Sequence, residues 1–217
     1  MAGVVVVIET GTKRVFASAV DWPGWSRAAK TEQLALEALA AYAERYAPVA
    51  KAAGVAFPKR IQFEIAERLR GDATTDFGAP GASAKLESQP METAEVERMC
   101  ALVEACWAEL DLVVQHAPHE LRKGPRGGGR DRDRIVDHVL GAESGYAPQL
   151  GLKLVAPAID DRRAIKANRA ALLAAFRAGA DGKPLREGGK RSARYMARRI
   201  AWHALDHAWE IEDRSEN

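Results

Sequence analysis

Cysteine is scarce in this sequence, with two residues in a chain of 217. Cys100 and Cys106 stand six residues apart in a segment of helical periodicity, and at about 100° per residue they point to different sides of a helix. We therefore expect no disulfide between them. Both are interpreted as small core residues of a protein in a reducing compartment, which predicts a cytoplasmic location.

Long apolar runs are also missing. No stretch reaches the roughly 20 consecutive apolar residues that a membrane-spanning helix needs. The apolar run within residues 1–8 has no basic residue before it, so we do not expect a signal peptide. These absences argue against a membrane protein.

Neither sign of charge dominates the chain. The 32 basic and 30 acidic side chains leave a formal net charge of +2, which excludes a strong whole-molecule field for nucleic acid. Two basic stretches remain, one beside a glycine-rich segment and one at the start of the last predicted helix: Lys123, Arg126, Arg130, Arg132 and Arg134, then Lys190, Arg191, Arg194, Arg198 and Arg199. Nucleic acid as a partner would need more interleaved aromatic residues and a clearer groove, so we do not expect it. The first stretch either is solvated or attracts an anionic substrate or thiol cofactor.

The first 70 residues predict a small α+β domain of order β-β-β-α-β. β-Branched and alternating segments indicate the strands, and Thr31 is a helix N-cap candidate. The expected strands cover 4–8, 14–20, 25–27 and 61–65, and the helix runs from Thr31 to about Ala53, with Pro48 expected to end or kink it.

The rest of the chain predicts an all-α domain. Residues 71–90 are polar, small and turn-rich, which is typical of a linker. Four helical segments follow, at 92–115, 131–145, 160–178 and 192–213, with the glycine-rich segment 124–129 before the second. With no strand between them, they predict a four-helix bundle over residues 91–217, and so a two-domain protein.

A histidine pair is the sharpest chemical feature. His203 and His207 are four residues apart on the last helix, so their rings share one face and could hold a single ion. Imidazole suits Zn, Ni and Fe. Ala204 stands where a zincin protease has its glutamate base, which excludes that class. Helical histidine pairs also occur as ordinary surface or core residues, and spacing alone leaves both interpretations open.

The second helix of the predicted bundle offers further ligands. His138 lies at the edge of its apolar stripe and Glu143 lies within the stripe. A carboxylate that faces a core needs a partner, so Glu143 either binds a metal or pairs with an arginine of the last helix, such as Arg198 or Arg199. Glu210, one turn beyond His207, either accepts a hydrogen bond from an imidazole N–H or faces solvent.

Two stretches resemble the DinB-like family. Residues 134–143 (Arg-Ile-Val-Asp-His-Val-Leu-Gly-Ala-Glu) are similar to its helix with one metal-binding histidine, and residues 199–207 (Arg-Ile-Ala-Trp-His-Ala-Leu-Asp-His) to its closing His-x-x-x-His helix. The resemblance implies a divalent metal (Zn, Ni or Fe) on His138, His203 and His207. It also implies a hydrolase, or a transferase that uses a low-molecular-weight thiol, acting on a small molecule, often as a homodimer. The continuation after His207 lacks the further histidines that the family often has there.

The N-terminal part resembles the HicB-like domain, through residues 22–26 (Trp-Pro-Gly-Trp-Ser) and 30–36 (Lys-Thr-Glu-Gln-Leu-Ala-Leu). This chain has Trp25 where the family turn carries cysteine. The resemblance implies either a partner-recognition module or an accessory domain. Trp22 and Trp25 would form a contact surface in the first case and simply pack beside the turn in the second.

Two functions follow from these patterns. The first is a metal-dependent enzyme built on the three histidines. The second is a non-catalytic binding or regulatory protein, in which the HicB-like domain recognises a protein partner and the bundle is a scaffold. The sequence has no Ser/His/Asp or Cys/His set for nucleophilic catalysis and no evident general base beside the histidines, which keeps the second function open.

Overall fold

The computed structural model describes residues 3–124 and 128–215. Arg126 and Gly127 of the glycine-rich segment lie outside the described residues. The secondary structure of these residues includes four strands, all in the N-terminal third, and seven α-helices. The strands are β1 (Val4–Thr10), β2 (Val15–Ala19), β3 (Ser26–Ala29) and β4 (Phe63–Arg70). The helices are α1 (Glu32–Ala41), α2 (Ala43–Ala52), α3 (Ala73–Phe77), α4 (Thr93–His116), α5 (Arg132–Tyr146), α6 (Arg162–Ala178) and α7 (Ala193–Ser215).

The four strands form one mixed sheet in the order β3-β2-β1-β4. β2 pairs antiparallel with both β1 and β3, while β4 returns after the helices and pairs parallel with β1. β4 is longer than the predicted strand over 61–65. Its extension, Ala66–Arg70, is a charged stretch without strong strand propensity, and it is extended because its backbone pairs with β1 along the whole of that strand.

The predicted single helix after Thr31 is wrong in one respect, because it divides at Tyr42. Thr31 does cap α1, since its hydroxyl accepts a hydrogen bond from the Leu34 amide at 3.3 Å. Pro48 lies inside α2 and does not end it. The turn at Tyr42 brings Tyr46 into the core, where its ring stacks on Trp25 at a centroid distance of 5.6 Å.

Both tryptophans of the Pro-Gly turn are core residues. Trp25 is fully buried and Trp22 is 7% exposed. The Trp25 indole donates to the Leu39 carbonyl at 2.9 Å, and the Tyr46 hydroxyl donates to the Pro23 carbonyl at 2.8 Å. Gly24 has a φ of +97°, and a Cβ at this position would lie 2.7 Å from Cδ1 of Leu205 in α7. The turn therefore packs directly on the last helix, and its tryptophans do not form a contact surface.

The segment 71–90 holds α3 and a 3-10 turn (Lys85–Ser88), and two sets of contacts anchor it. The buried carboxylate of Glu9 in β1 accepts hydrogen bonds from the amides of Gly81 and Ala82, each at 2.9 Å. Glu87 is fully buried and forms an ion pair with Arg198 of α7, with Oε1 2.6 Å from Nε. This segment ties the sheet to α7.

The four C-terminal helices begin and end within two residues of their predicted bounds. Local capping explains part of this agreement, because the hydroxyl of Ser192 accepts from the Tyr195 amide at 3.2 Å and the carboxylate of Asp161 accepts from the Ala164 amide at 2.9 Å. α7 packs against α4, α5 and α6. One continuous hydrophobic core includes residues of the sheet and of these helices.

Cys100 and Cys106 are free and fully buried, as the sequence predicts. Burial raises the pKa of the Cys100 thiol to about 11, and it raises the pKa of Cys106 as well. Among the described residues, no helix combines the length and the apolar character needed to cross a membrane.

Candidate metal centre

Helix α7 carries two histidines on one face. The rings of His203 and His207 lie 4.7 Å apart, as their four-residue spacing requires. The apolar residues Ile200, Ala204 and Ala208 bury the same side of the helix, which draws both rings toward the protein interior. His203 is 8% exposed, and the His207 side chain is 13% exposed.

Helix α5 brings the third histidine to this face. Ile135 and Val139 pack α5 into the core, and His138 projects from its edge toward α7. The ring of His138 lies 4.9 Å from that of His203 and 5.0 Å from that of His207. All three residues that the sequence proposes as ligands therefore meet at one point.

The donor atoms of the three histidines suit a single small ion. One ring nitrogen from each residue lies within 4.8 Å of the others, and the Nε2 atoms of His138 and His203 are 3.2 Å apart. Two nitrogen ligands at the usual Zn–N length and in tetrahedral arrangement lie about 3.3 Å from each other. The observed His138–His203 separation matches this value, so the set fits a divalent ion with nitrogen ligands.

The imidazoles of His138 and His203 are held in the neutral form, which is the form that binds metal. Burial, together with the nearby His207 and His138 rings, lowers the pKa of His203 to about 2. Burial and His207 also lower the pKa of His138. No positive charge on these two rings opposes a cation near neutral pH.

Glu210 supports the cluster from the next turn of α7. Its Oε2 atom lies 2.8 Å from Nδ1 of His207, and its Oε1 atom lies 2.6 Å from Nη1 of Arg214. The hydrogen bond from His207, followed by Arg214, lowers the pKa of Glu210. The structure places this residue as the acceptor of an imidazole N–H rather than facing solvent alone.

Glu143 is not part of the cluster. It is 4% exposed, and its Oε2 atom lies 3.5 Å from Nε of Arg169 in α6. Burial raises the pKa of Glu143, and Arg169 opposes that rise. The sequence-based expectation of an arginine partner on α7 is wrong, because Arg198 pairs with Glu87 and Arg199 donates to the Pro80 carbonyl at 3.1 Å.

Sequence reasoning missed two features that border the site. Asp206, between the two histidines of α7, pairs with Arg27 of β3 at 2.9 Å. Arg199, one turn before His203, lies over the rings of Tyr146 and Trp202. The four-residue spacing of Arg199, His203 and His207 could have indicated the second feature, whereas the first depends on how the sheet meets α7.

The comparisons with known proteins do not assign this chain to a family. No protein-family model matches the sequence, and no curated protein or solved structure matches it either. The case for a function therefore depends on the geometry of the histidine cluster and on the residues around it.

Proposed function

We propose that this protein is a metal-dependent enzyme of the DinB-like class, a hydrolase or a thiol-dependent transferase that acts on a small molecule. The ligands of the divalent metal would be His138, His203 and His207. The observation that carries the proposal is the convergence of these three rings where α5 and α7 pack together. The Nε2 atoms of His138 and His203 are 3.2 Å apart.

Three neutral imidazoles leave coordination positions for water or substrate, which is typical of catalytic sites. A divalent ion bound there would act as a Lewis acid, lowering the pKa of water or of a thiol. Glu210 would hold the N–H of His207 at Nδ1 and so present Nε2 to the ion. Imidazole ligands favour Zn, Ni or Fe.

The arrangement of the chain supports the DinB-like assignment. Of the four long helices α4 to α7, the second carries one histidine of the cluster and the fourth carries two, as the resemblance implies. We further propose that residues 1–70 are a HicB-like domain, that residues 91–217 are a four-helix bundle, and that the protein forms a homodimer in the cytoplasm. Sedimentation would test the dimer.

Elemental analysis of protein purified without a His-tag tests the metal site. We expect about one divalent ion per chain in the wild type and almost none in the His203→Ala/His207→Ala double variant. His116→Ala/His119→Ala is the matched control, because the chain has five histidines and these two are exposed and outside the cluster. Equal, sub-stoichiometric metal in all three proteins would exclude the site.

His138→Ala tests the third ligand separately. We expect weaker metal binding, because the ion would keep only the two ligands of α7. If the affinity of this variant equals that of the wild type, the third ligand lies elsewhere in the chain.

One observation favours the alternative, a non-catalytic binding protein. The two α7 carboxylates beside the histidines, Asp206 and Glu210, are both engaged in ion pairs, with Arg27 and Arg214. Neither is a free general base in this arrangement. Adding 2-mercaptoethanol to the Co²⁺-loaded protein separates the two functions: an open site gives a sulfur-to-cobalt charge-transfer band, and a closed structural site does not.

A further inference from the structure

A cationic residue borders the proposed metal centre. Arg199 stands four residues before His203, on the same face of α7. Its guanidinium carbon lies 5.5 Å from the ring centroid of Tyr146 and 5.0 Å from that of Trp202. Those two rings in turn lie 6.0 Å from the ring of His203. The aromatic pair thus holds Arg199 beside the cluster.

Most of the hydrogen-bonding capacity of Arg199 is unused. A guanidinium has five N–H donors. Within 3–124 and 128–215, the carbonyl of Pro80, at 3.1 Å, is its one acceptor, and no carboxylate is close enough for an ion pair. The neighbouring Arg198 differs, because Glu87 neutralises it. The remaining N–H groups of the Arg199 guanidinium are therefore available to an anion from outside the chain.

The acidic groups near the cluster would not neutralise a divalent ion bound by the three histidines. Asp206 is paired with Arg27 and Glu210 with Arg214, while Asp137 is exposed on α5. Arg130 adds a second positive charge near His203. A divalent ion held by neutral imidazoles would leave this region strongly positive, which favours an anionic ligand.

Trp202, whose ring lies against Arg199, carries a second donor. Trp202 is 4% exposed and packs edge-on against Phe16 at 5.9 Å. Its indole N–H has no hydrogen-bond partner among the residues that the structure describes. A buried donor without an acceptor costs free energy, and a ligand oxygen would remove that cost.

We infer that the substrate of the metal centre carries a carboxylate, or an anionic group of the same shape, and that Arg199 binds it beside His203. The planar fork of an arginine matches two carboxylate oxygens, and such pairs are among the stronger hydrogen bonds in proteins. Tyr146 and Trp202 would hold the guanidinium in place while the substrate reaches the ion. This inference rests on the proposed function, since it assumes the metal on the three histidines.

Titration of the full-length, Co²⁺-loaded chain with propionate, followed by its visible absorption spectrum, tests the inference. Propionamide is the neutral probe of equal size. We expect propionate to change the spectrum and propionamide to have little effect. Arg199→Gln should weaken propionate binding about tenfold or more, and Arg199→Lys by less, because lysine keeps the charge but not the fork. Arg163→Gln, an exposed arginine of α6, is the matched control and should bind as the wild type does.

The possible outcomes separate this inference from the proposed function. An Arg199→Gln variant that keeps the Co²⁺ spectrum of the free site and binds propionate like the wild type would overturn the carboxylate inference alone. Equal binding of propionate and propionamide to the wild type would do the same. A wild-type chain that gives no Co²⁺ spectrum would overturn both.

Discussion

The Nδ1 atom of His207 lies 2.8 Å from Oε2 of Glu210, one turn farther along α7. In a neutral His207 this contact favours the N–H on Nδ1, which leaves the Nε2 lone pair for a metal. Arg214 holds the other oxygen of the same carboxylate, at 2.6 Å. A row of side chains along one helix thus determines which nitrogen of His207 can bind an ion.

Replacing Glu210 by alanine should weaken metal binding without unfolding the chain. The loss of an acceptor behind a ligating histidine costs about 10- to 100-fold in metal affinity. Competition with a chromophoric chelator would measure the change in Kd. Glu120→Ala, at an exposed loop position, is the control. An unchanged Kd in Glu210→Ala would mean that packing alone orients His207.

The buried ion pair between Glu87 and Arg198 gives a prediction about stability. Their side chains are 0% and 1% exposed, so removing one partner leaves the other charge buried and unpaired. Arg198→Met should lower the free energy of unfolding by about 3–5 kcal/mol, and the Glu87→Leu/Arg198→Met double variant should recover much of that loss. Urea denaturation of the single and double variants would measure both effects.

A surface ion pair is the control for this stability prediction. Arg68 and Glu32 form an ion pair on the surface, and Arg68→Met should leave the urea midpoint nearly unchanged. Strictly additive losses in the Glu87 and Arg198 variants would contradict the prediction, because they would mean that the two side chains contribute independently.

The buried carboxyl of Glu143 should make stability depend on pH. Burial raises its pKa above the ordinary value of 4.5, so the folded chain keeps a proton that the unfolded chain releases. The stabilisation is complete below about pH 4.5 and decreases as pH rises toward the pKa in the folded state. The Glu143→Gln variant cannot titrate, so we expect its stability relative to the wild type to increase over this range. Urea denaturation at several pH values would measure the difference, and a constant difference would be evidence against the raised pKa.

Both thiols should be inert in the folded protein. The pKa of Cys100 is raised to about 11 and that of Cys106 is raised too, and neither side chain is exposed. Ellman's reagent at pH 8 should react slowly with the native chain and rapidly with both thiols after denaturation. Fast reaction of either thiol in the native chain would show that its helix opens locally.

Much of the helical part could be predicted because its signals are local. Ser192 and Asp161 cap α7 and α6 close to the predicted starts at 192 and 160, and apolar periodicity indicates the extent of both helices. The face shared by His203 and His207 follows from spacing alone. Their approach to His138 does not follow from spacing, since it requires α5 to pack on α7, and the resemblance to a known family supplied that expectation.

The errors concern contacts between elements distant in sequence. Nothing around Glu143 identifies Arg169 as its partner, because that pair forms only when α5 and α6 pack together. The contacts of the segment 71–90 with Glu9 in β1 and Arg198 in α7 were not predicted from its turn-rich composition, because both residues lie far from it in the sequence. The division at Tyr42 was missed for the same reason, as it brings Tyr46 onto Trp25.

Gly24 links the geometry of the sheet to that of the histidine helix. Its missing side chain lets the turn lie against Leu205, which stands between His203 and His207 in the sequence, and an added Cβ would also come within 2.9 Å of Sγ of Cys106. Glycine at this position therefore allows the turn to contact the helix that carries the histidine pair. A methyl group at position 24 would have to displace the side chains of Leu205 and Cys106, so a change in a turn far from the histidines in sequence would reach their helix.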